Sequence, residues 1–234
     1  MSDTTKPQSM HFAALREAYQ AGSTSPAEIV EAVFARIEQQ KTPGIWTHLR
    51  AKSEVLRDAE ALAVRKKAGG ALPLFGIPFG VKDNIDVAGI PTTAACPDFA
   101  YVPVATAPVV TRLLEAGALL IGKTNLDQFA TGLVGVRSPY GVPPNVFDER
   151  YITGGSSSGS AASVTRGQVS FALGTDTAGS GRVPAGFNNL VGLKPSRGLF
   201  STSGVLPACR SLDCVSIFSL NSDDARDVAE VMTG

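Results

Sequence analysis

Apolar side chains recur at helical spacing in the first third of the chain. Phe12–Ala21 predicts a short helix, and Ser25 with Glu28 forms a capping box that opens a second one. One face of this second helix carries Ile29, Val30, Val33, Phe34 and Ile37. A short strand over Ile45–Leu49 and a charged helix over Ala51–Ala68 follow. This part of the chain is therefore predicted to be mainly helical.

Continuous apolar runs are the main pattern in the rest of the chain, and they predict buried strands. These runs are Leu74–Lys82, Ala118–Ile121, Val169–Leu173, Val191–Pro195 and Val215–Leu220. Helices are predicted between or after them, over Val109–Ala116, Asn125–Thr131, Val183–Leu190 and Ser222–Met232. Gly132–Ile152 is predicted to be a long loop. Strands that alternate with helices indicate an α/β fold with a mixed, partly parallel central sheet flanked by helices.

The bulk properties narrow the class of protein. The chain is 44% hydrophobic and 18% charged, which suffices for a large core. Its formal net charge is zero and no Lys/Arg cluster stands out, so neither nucleic acid nor a membrane is the expected partner. The polar opening residues 1–10 resemble no secretory signal and are expected to form a flexible tail ahead of one domain over 11–234. We therefore expect a cytoplasmic protein.

The cysteines and histidines exclude two kinds of site. Cys96, Cys209 and Cys214 lack metal-ligand spacing and are expected to be free thiols, so no metal is predicted. His11 and His48 lie in early elements, away from the glycine-rich loops, and are expected to be structural or solvent-facing. If the chain is a serine hydrolase, its base is a residue other than histidine.

Two turns rich in glycine and serine, Gly154–Ser160 and Gly174–Gly181, form the centre of the chain. A helix-like segment and an apolar strand join them, and such a unit can bring both turns to one edge of a sheet. A phosphate loop would need a lysine after its glycines, and the dinucleotide fingerprint is absent. Ser180 follows small residues whose N–H groups can form an oxyanion hole, and a lysine is then the natural base.

These residues, taken together, resemble the amidase signature family. The resemblance rests on Gly154–Ser160, on Ser180 after Gly174-Thr175-Asp176, and on Lys82 in Val81-Lys82-Asp83. It extends to Ile121–Gly132 and Val191–Gly198, and so covers almost the whole chain. It implies that the chain is the N-terminal portion of a single amidase catalytic domain, because family members continue further.

The resemblance implies a Ser-Ser-Lys triad without a cofactor. Ser180 would be the nucleophile, Ser156 the relay serine held by a cis peptide, and Lys82 the base. The N–H groups of the preceding turn would form the oxyanion hole, contributed by Thr177, Ala178 and Gly179. Ser157, Asp176 and Arg182 are expected to support these residues.

Within the family, the variants Thr177-Ala178-Gly179 and Ser180-Gly181-Arg182-Val183 are similar to those of allophanate hydrolases. This resemblance implies hydrolysis of allophanate, a carboxylated urea, to ammonia and carbon dioxide. It further implies a functional link to a biotin-dependent urea carboxylase, and a homodimer is expected for the full-length protein. Two alternatives stay open: an amidase for another small amide or a glutamine-dependent amidotransferase subunit, and an inactive fragment that acts only as a structural or assembly module.

A lysine base must be neutral before it accepts a proton, although a free lysine titrates near a pKa of ~10.4. Lys82 ends a buried apolar run, and burial lowers the pKa of a lysine. The neighbouring Asp83 would oppose this effect if its carboxylate faced the amine. We therefore predict that Asp83 turns away and that Lys82 lies within hydrogen-bond distance of Ser156.

Overall fold

A computed structural model describes residues 9–233 of the chain. The helices within these residues are α1 (Phe12–Gln20), α2 (Pro26–Gln40), α3 (Lys52–Lys67), α4 (Pro108–Glu115), α5 (Ser158–Thr165), α6 (Arg182–Phe187) and α7 (Ser222–Thr233). The strands are β1 (Trp46–Leu49), β2 (Pro78–Lys82), β3 (Leu119–Thr124), β4 (Phe171–Asp176), β5 (Val191–Leu193) and β6 (Cys214–Ser219).

The strands form one sheet in the order β1-β3-β2-β4-β6-β5. Strand β2 is parallel to both β3 and β4, whereas the pairs β1–β3, β4–β6 and β5–β6 are antiparallel. The predicted mixed, partly parallel sheet flanked by helices is confirmed. Because parallel strands end at the same edge of a sheet, Lys82, Thr124 and Asp176 lie at one edge, where α/β proteins place their sites.

Aromatic packing joins the central strands to the first helix. Phe79 of β2 is the register partner of Phe171 of β4, and their rings stack with centroids 5.1 Å apart. Phe12 of α1 meets Phe171 edge-on at 5.7 Å, and all three side chains are buried. Helix α5 packs across β2, β3, β4 and β6. The core therefore supports the strands that end at the predicted site.

The predicted capping box of α2 is confirmed. The Ser25 hydroxyl accepts the Glu28 N–H at 3.3 Å, and the Glu28 carboxylate accepts the Ser25 N–H at 2.8 Å. Pro26 occupies the first helical position, where its missing N–H costs nothing. This helix start is therefore specified locally by three residues.

The boundaries of every strand differ from the prediction by one or more residues, and those of β2 and β3 have clear causes. Strand β2 begins at Pro78 because the chain turns before it: Gly76 has a φ of 70°, and its N–H donates to the carbonyl of Gly117. Strand β3 continues beyond Ile121 to Thr124, so that Lys123 is paired within the sheet, opposite Val81. Polar residues extend the strand here because the parallel neighbour β2 supplies hydrogen-bond partners.

The predicted helix over Asn125–Thr131 is wrong. A single 3₁₀ turn spans Gln128–Ala130, and Phe129 and Ala130 have φ values of 53° and 56°. The Asn125 side chain instead donates to the carbonyl of Gly44 at 2.9 Å. Asn and Asp side chains that bind backbone groups compete with helix formation, and here they prevail.

The predicted tail lies mostly outside the described residues, which begin at Ser9. Met10, its last residue, is only 6% exposed and packs in the core, so the prediction of a flexible tail is wrong at that position. Of the three free cysteines, Cys214 is buried, and Cys96 and Cys209 are half-buried. No helix among residues 9–233 is long and apolar enough to cross a membrane.

Candidate active site

Lys82 is the last residue of β2, a strand buried along its whole length. Its side chain is 0% exposed. The Nζ atom lies 2.7 Å from the Oγ atom of Ser156 and 2.7 Å from the Oγ1 atom of Thr175 on β4. The predicted hydrogen bond between Lys82 and Ser156 is therefore present, and Thr175 adds a second one.

Burial decides the protonation of Lys82. Loss of water around the amine lowers the pKa of Lys82 from its ordinary value near 10.5 to about 7. The carboxylates of Asp127, Asp176 and Asp213 act in the opposite direction, since negative charge favours the ammonium form. Because burial outweighs them, a large fraction of the amine is neutral near pH 7.

Asp83 turns away from Lys82, as predicted. Successive side chains of a strand point to opposite faces, and Asp83 directly follows Lys82. The Asp83 carboxylate is 2.8 Å from the Lys123 Nζ atom and accepts the Thr93 hydroxyl at 2.5 Å. Both charged side chains are 0% exposed. Lys123 therefore neutralises the charge of Asp83 inside the protein.

Ser156 lies in the first glycine-rich turn, and the Gly155–Ser156 peptide bond is cis. The Ser156 carbonyl accepts the Asp127 N–H at 3.0 Å. A Cβ atom at Gly155 would lie 2.3 Å from the Asp127 carboxylate, so only glycine fits there. The predicted cis peptide is thus present, in a turn with no space for a side chain at residue 155.

Ser157 connects the two glycine-rich turns. Its hydroxyl donates to the Thr175 carbonyl at 3.2 Å and accepts the Thr175 N–H at 3.4 Å. Ser157 directly precedes α5, whereas Thr175 lies near the end of β4. This pair of bonds places the start of the helix against the strand that leads to Ser180.

The Asp176 side chain stabilises the turn that carries Ser180. Its carboxylate accepts the N–H groups of Gly179 at 2.7 Å and Gly181 at 3.1 Å, and pairs with the Arg182 guanidinium at 2.9 Å. Burial alone would raise the pKa of Asp176, but the bonds from Arg182 and the two glycines lower it overall. The expected supporting positions of Asp176 and Arg182 agree with these contacts.

The position of the two serines is only partly as expected. Ser180 is 4% exposed, and its hydroxyl donates to the Gly132 carbonyl over a long distance of 3.4 Å. No hydrogen bond among residues 9–233 joins Ser180 to Ser156. The structure therefore brings Lys82 and Ser156 into contact but does not complete a chain of hydrogen bonds to Ser180.

The three expected oxyanion donors are not equivalent. The Gly179 N–H donates to Asp176, so the structure contradicts its expected role as a free donor. The N–H groups of Thr177, Ala178 and Ser180 donate to no other group within the described part of the chain. This turn therefore has three N–H groups without an acceptor in the described part of the chain, and the N–H of Ser180 takes the place that was expected for that of Gly179.

Sequence reasoning missed Thr175, Lys123 and Asp127. The predicted strand over Ala118–Ile121 leads directly to Lys123, but the sequence did not assign Lys123 a role, because its partner Asp83 is brought near only by the pairing of β2 with β3. Asp127 was hidden by the wrong helix prediction. His11 and His48 take no part in the site: His11 contacts Asn221 at 2.8 Å, and His48 lies on β1.

Comparisons with known proteins show what the chain is similar to. The amidase family matches residues 28–234. Urea amidolyase of Saccharomyces cerevisiae is 53% identical over 212 residues, which cover 91% of this chain and 12% of that protein. The structure of Kluyveromyces lactis allophanate hydrolase matches with a TM-score of 0.85 and 49% identity, over 97% of this chain and 37% of that chain.

A second group of relatives is named for a different activity. One component of the glutamyl-tRNA(Gln) amidotransferase of Symbiobacterium thermophilum is 43% identical over 226 residues, which cover 95% of this chain and 46% of that protein. The chain thus spans less than half the length of each of these relatives. The extent of the family match, together with the identity to these relatives, leads to one conclusion: the chain belongs to the amidase family.

Proposed function

We propose that the chain carries the catalytic residues of an amide hydrolase that acts on allophanate. The observation that carries this proposal is the buried bond between Lys82 and Ser156, in a chain 53% identical to a urea amidolyase. The pKa of Lys82, about 7, supports its use as a base near neutral pH.

In the proposed reaction, the neutral Lys82 amine accepts the Ser156 proton while the Ser156 oxygen accepts the proton of Ser180. The Ser180 oxygen attacks the terminal amide carbonyl of the substrate. This relay requires the Ser180 hydroxyl to leave its long bond to Gly132 and rotate toward Ser156. The proton then returns from Lys82 to the leaving nitrogen, and ammonia departs from a covalent acyl-enzyme.

The free N–H groups of the Ser180 turn suit the charge that develops in this step. The tetrahedral intermediate carries a negative oxygen, and Thr177, Ala178 and Ser180 present N–H donors that have no acceptor within residues 9–233. Water then attacks the acyl-enzyme and gives its proton to the Ser156–Lys82 relay, which returns a proton to the Ser180 oxygen as the bond between that oxygen and the acyl group breaks. One allophanic acid and one water yield two ammonia and two carbon dioxide, because the carboxylated carbamate that is released decomposes.

The proposed substrate implies a reaction that supplies it. Allophanate is formed by adding a carboxyl group to urea, so the partner reaction is a biotin-dependent carboxylation of urea. The relatives support this link, since a urea amidolyase is among them. The expected cytoplasmic location and the expected homodimer of the full-length protein stay predictions.

Two other assignments have specific support. The 43% identity to part of an amidotransferase favours the side-chain amide of glutamine as a second candidate substrate. The small share of the relatives' length that the chain spans, 12% for the yeast urea amidolyase, favours a fragment that needs further segments for activity. In that case the chain by itself would act as a structural module.

Ammonia release from a substrate panel tests these assignments. The panel contains allophanate, biuret, malonamate and glutamine, each with the wild-type chain, Ser180→Ala and the exposed control Ser203→Ala. We expect release from allophanate by wild type and control, and none by Ser180→Ala. Preference for glutamine would overturn the substrate, and activity in Ser180→Ala would overturn the nucleophile. An inactive chain within an active longer protein would favour the fragment.

A further inference from the structure

Asp127 is a buried carboxylate that the proposed triad does not use. Its side chain is 0% exposed. It accepts three backbone N–H groups of one loop, from Val134 at 3.2 Å, Gly135 at 3.0 Å and Arg137 at 2.9 Å. No lysine, arginine or histidine side chain within residues 9–233 lies within ion-pair distance of it. Asp127 is therefore a buried carboxylate without a cationic partner in the part of the chain that the structure describes.

The main chain of Asp127 holds the turn of Ser156. Its N–H donates to the Ser156 carbonyl at 3.0 Å. Its carboxylate occupies the space that a Cβ atom at Gly155 would need, at 2.3 Å. Leu133, in the loop that wraps the carboxylate, accepts the Gly155 N–H at 2.9 Å. The main chain and the side chain of Asp127 thus both contact residues that position Ser156.

The same loop reaches the other serine. Gly132 begins it, and a Cβ atom there would lie 2.8 Å from the Asp127 carboxylate. The Gly132 carbonyl accepts the Ser180 hydroxyl. One carboxylate therefore organises the loop that touches Ser180 and the turn that carries Ser156.

Among the carboxylates that act on Lys82, those of Asp127 and Asp213 have no cationic partner within residues 9–233, whereas that of Asp176 has one. Asp83, after β2, is paired with Lys123 of β3, and Asp176 of β4 is paired with Arg182. Asp213, before β6, accepts the Thr177 hydroxyl and the N–H groups of Ala208 and Cys209. Of the carboxylates that favour the ammonium form of Lys82, Asp127 has the largest effect.

We propose that Asp127 is a positioning residue that joins the Ser156 turn to the loop contacting Ser180, and that it supplies the counter-charge for the Lys82 ammonium formed during the reaction. The role rests on the proposed function, in which Lys82 becomes protonated while buried. A fixed negative charge stabilises that ammonium without reorganisation of solvent. Too strong a counter-charge would keep Lys82 protonated in the resting enzyme, so burial and Asp127 act in balance.

Two measurements on the full chain test this role in Asp127→Asn. The first is the NMR titration of the Lys82 side chain in lysine-labelled protein, assigned with Lys82→Met. The second is the pH profile of kcat/KM for ammonia release. The matched control is Asp224→Asn, which removes a buried carboxylate that accepts the Phe12 N–H and is not among the carboxylates that act on Lys82.

In Asp127→Asn we expect the pKa of Lys82 to fall by about one unit, because a charge that favours the ammonium is lost. The apparent pKa of the acid limb of the pH profile should fall by the same amount. The plateau of kcat should fall at least ~10-fold, because an amide offers one acceptor oxygen fewer to the loop N–H groups. The control should change neither. A lower kcat with an unmoved Lys82 pKa would indicate a purely structural residue and overturn the proposal.

Asp127→Glu covers the case in which the asparagine variant does not fold. It keeps the charge but displaces it by one methylene, so the pKa of Lys82 should move by less than about half a unit while kcat falls at least ~10-fold. An unchanged kcat, or a full unit of pKa shift, would contradict the proposal. Since the titration needs no substrate, a Lys82 pKa that shifts in Asp127→Asn would support the coupling even in a chain that releases no ammonia, whereas the substrate panel alone decides the proposed function.

Discussion

The Lys82 Nζ atom lies 2.7 Å from the Ser156 Oγ atom, in a place where both side chains are fully buried. The contact joins the end of β2 to the first glycine-rich turn, 74 residues further along the chain. A protonated lysine can only donate in this bond, whereas a neutral one can accept the serine proton. Its chemical use is therefore controlled by the protonation of Lys82.

We expect activity to depend on this protonation. With the pKa of Lys82 at about 7, kcat/KM for ammonia release should fall about tenfold per pH unit below pH 7 and level off above it. The profile should be measured between pH 5 and 9 at constant ionic strength. A profile that stays flat from pH 5.5 to 8 would rule out Lys82 as the titrating base.

The same lowered pKa should make stability depend on pH. The unfolded chain binds more protons than the folded one between pH 7 and about 10.5, because the folded pKa of Lys82 is the lower one. Stability from this group is therefore reduced below pH 7 and recovered as pH rises through that window, by up to ~1.4 kcal/mol per unit.

Urea unfolding of wild type and Lys82→Met at pH 7, 8 and 9 isolates this contribution. The free energy of unfolding of wild type should rise relative to that of the variant as pH increases, because methionine does not titrate. Lys52→Met, which removes a surface partner of Glu31, should follow wild type in its pH dependence. Parallel curves for wild type and Lys82→Met would contradict the buried, neutral lysine.

The buried pair of Asp83 and Lys123 should be strongly coupled. Either Asp83→Asn or Lys123→Met leaves a partner without its counter-charge, and each should lower the free energy of unfolding by ~3–5 kcal/mol. The double variant should lose clearly less than the sum, because no unpaired charge remains. A double-mutant cycle by urea unfolding measures the coupling, and additive losses would contradict it.

The start of α2 offers a local test. Ser25→Ala removes the hydroxyl that accepts the Glu28 N–H and should lower the free energy of unfolding by ~1 kcal/mol. Ser53→Ala, at an exposed position in α3, is the matched control and should stay within ~0.5 kcal/mol of wild type. Equal effects of the two substitutions would show that the cap contributes nothing specific.

Local patterns sufficed for much of the fold. Apolar runs located the strands around β2 and β4, and the pair Ser25 and Glu28 located the start of α2, because periodicity and capping act over a few residues. The order of chemistry-bearing residues also sufficed to single out Lys82, Ser156 and Ser180 and to identify the family. These conclusions depended on the linear chain alone.

Only the three-dimensional fold determined the contacts between residues that are distant in sequence. Asn125–Thr131 is not a helix because Asn125 and Asp127 bind the backbone of loops that only the fold brings near. The Gly179 N–H is not available to an oxyanion because it donates to the Asp176 carboxylate. The counter-charge of Asp83 comes from Lys123, 40 residues away, and the position of Asp127 beside Gly155 exists only after the loops have closed. Side-chain identity determined which groups were available, whereas packing determined which of them met, since buried polar groups bind the partners that the fold places within reach.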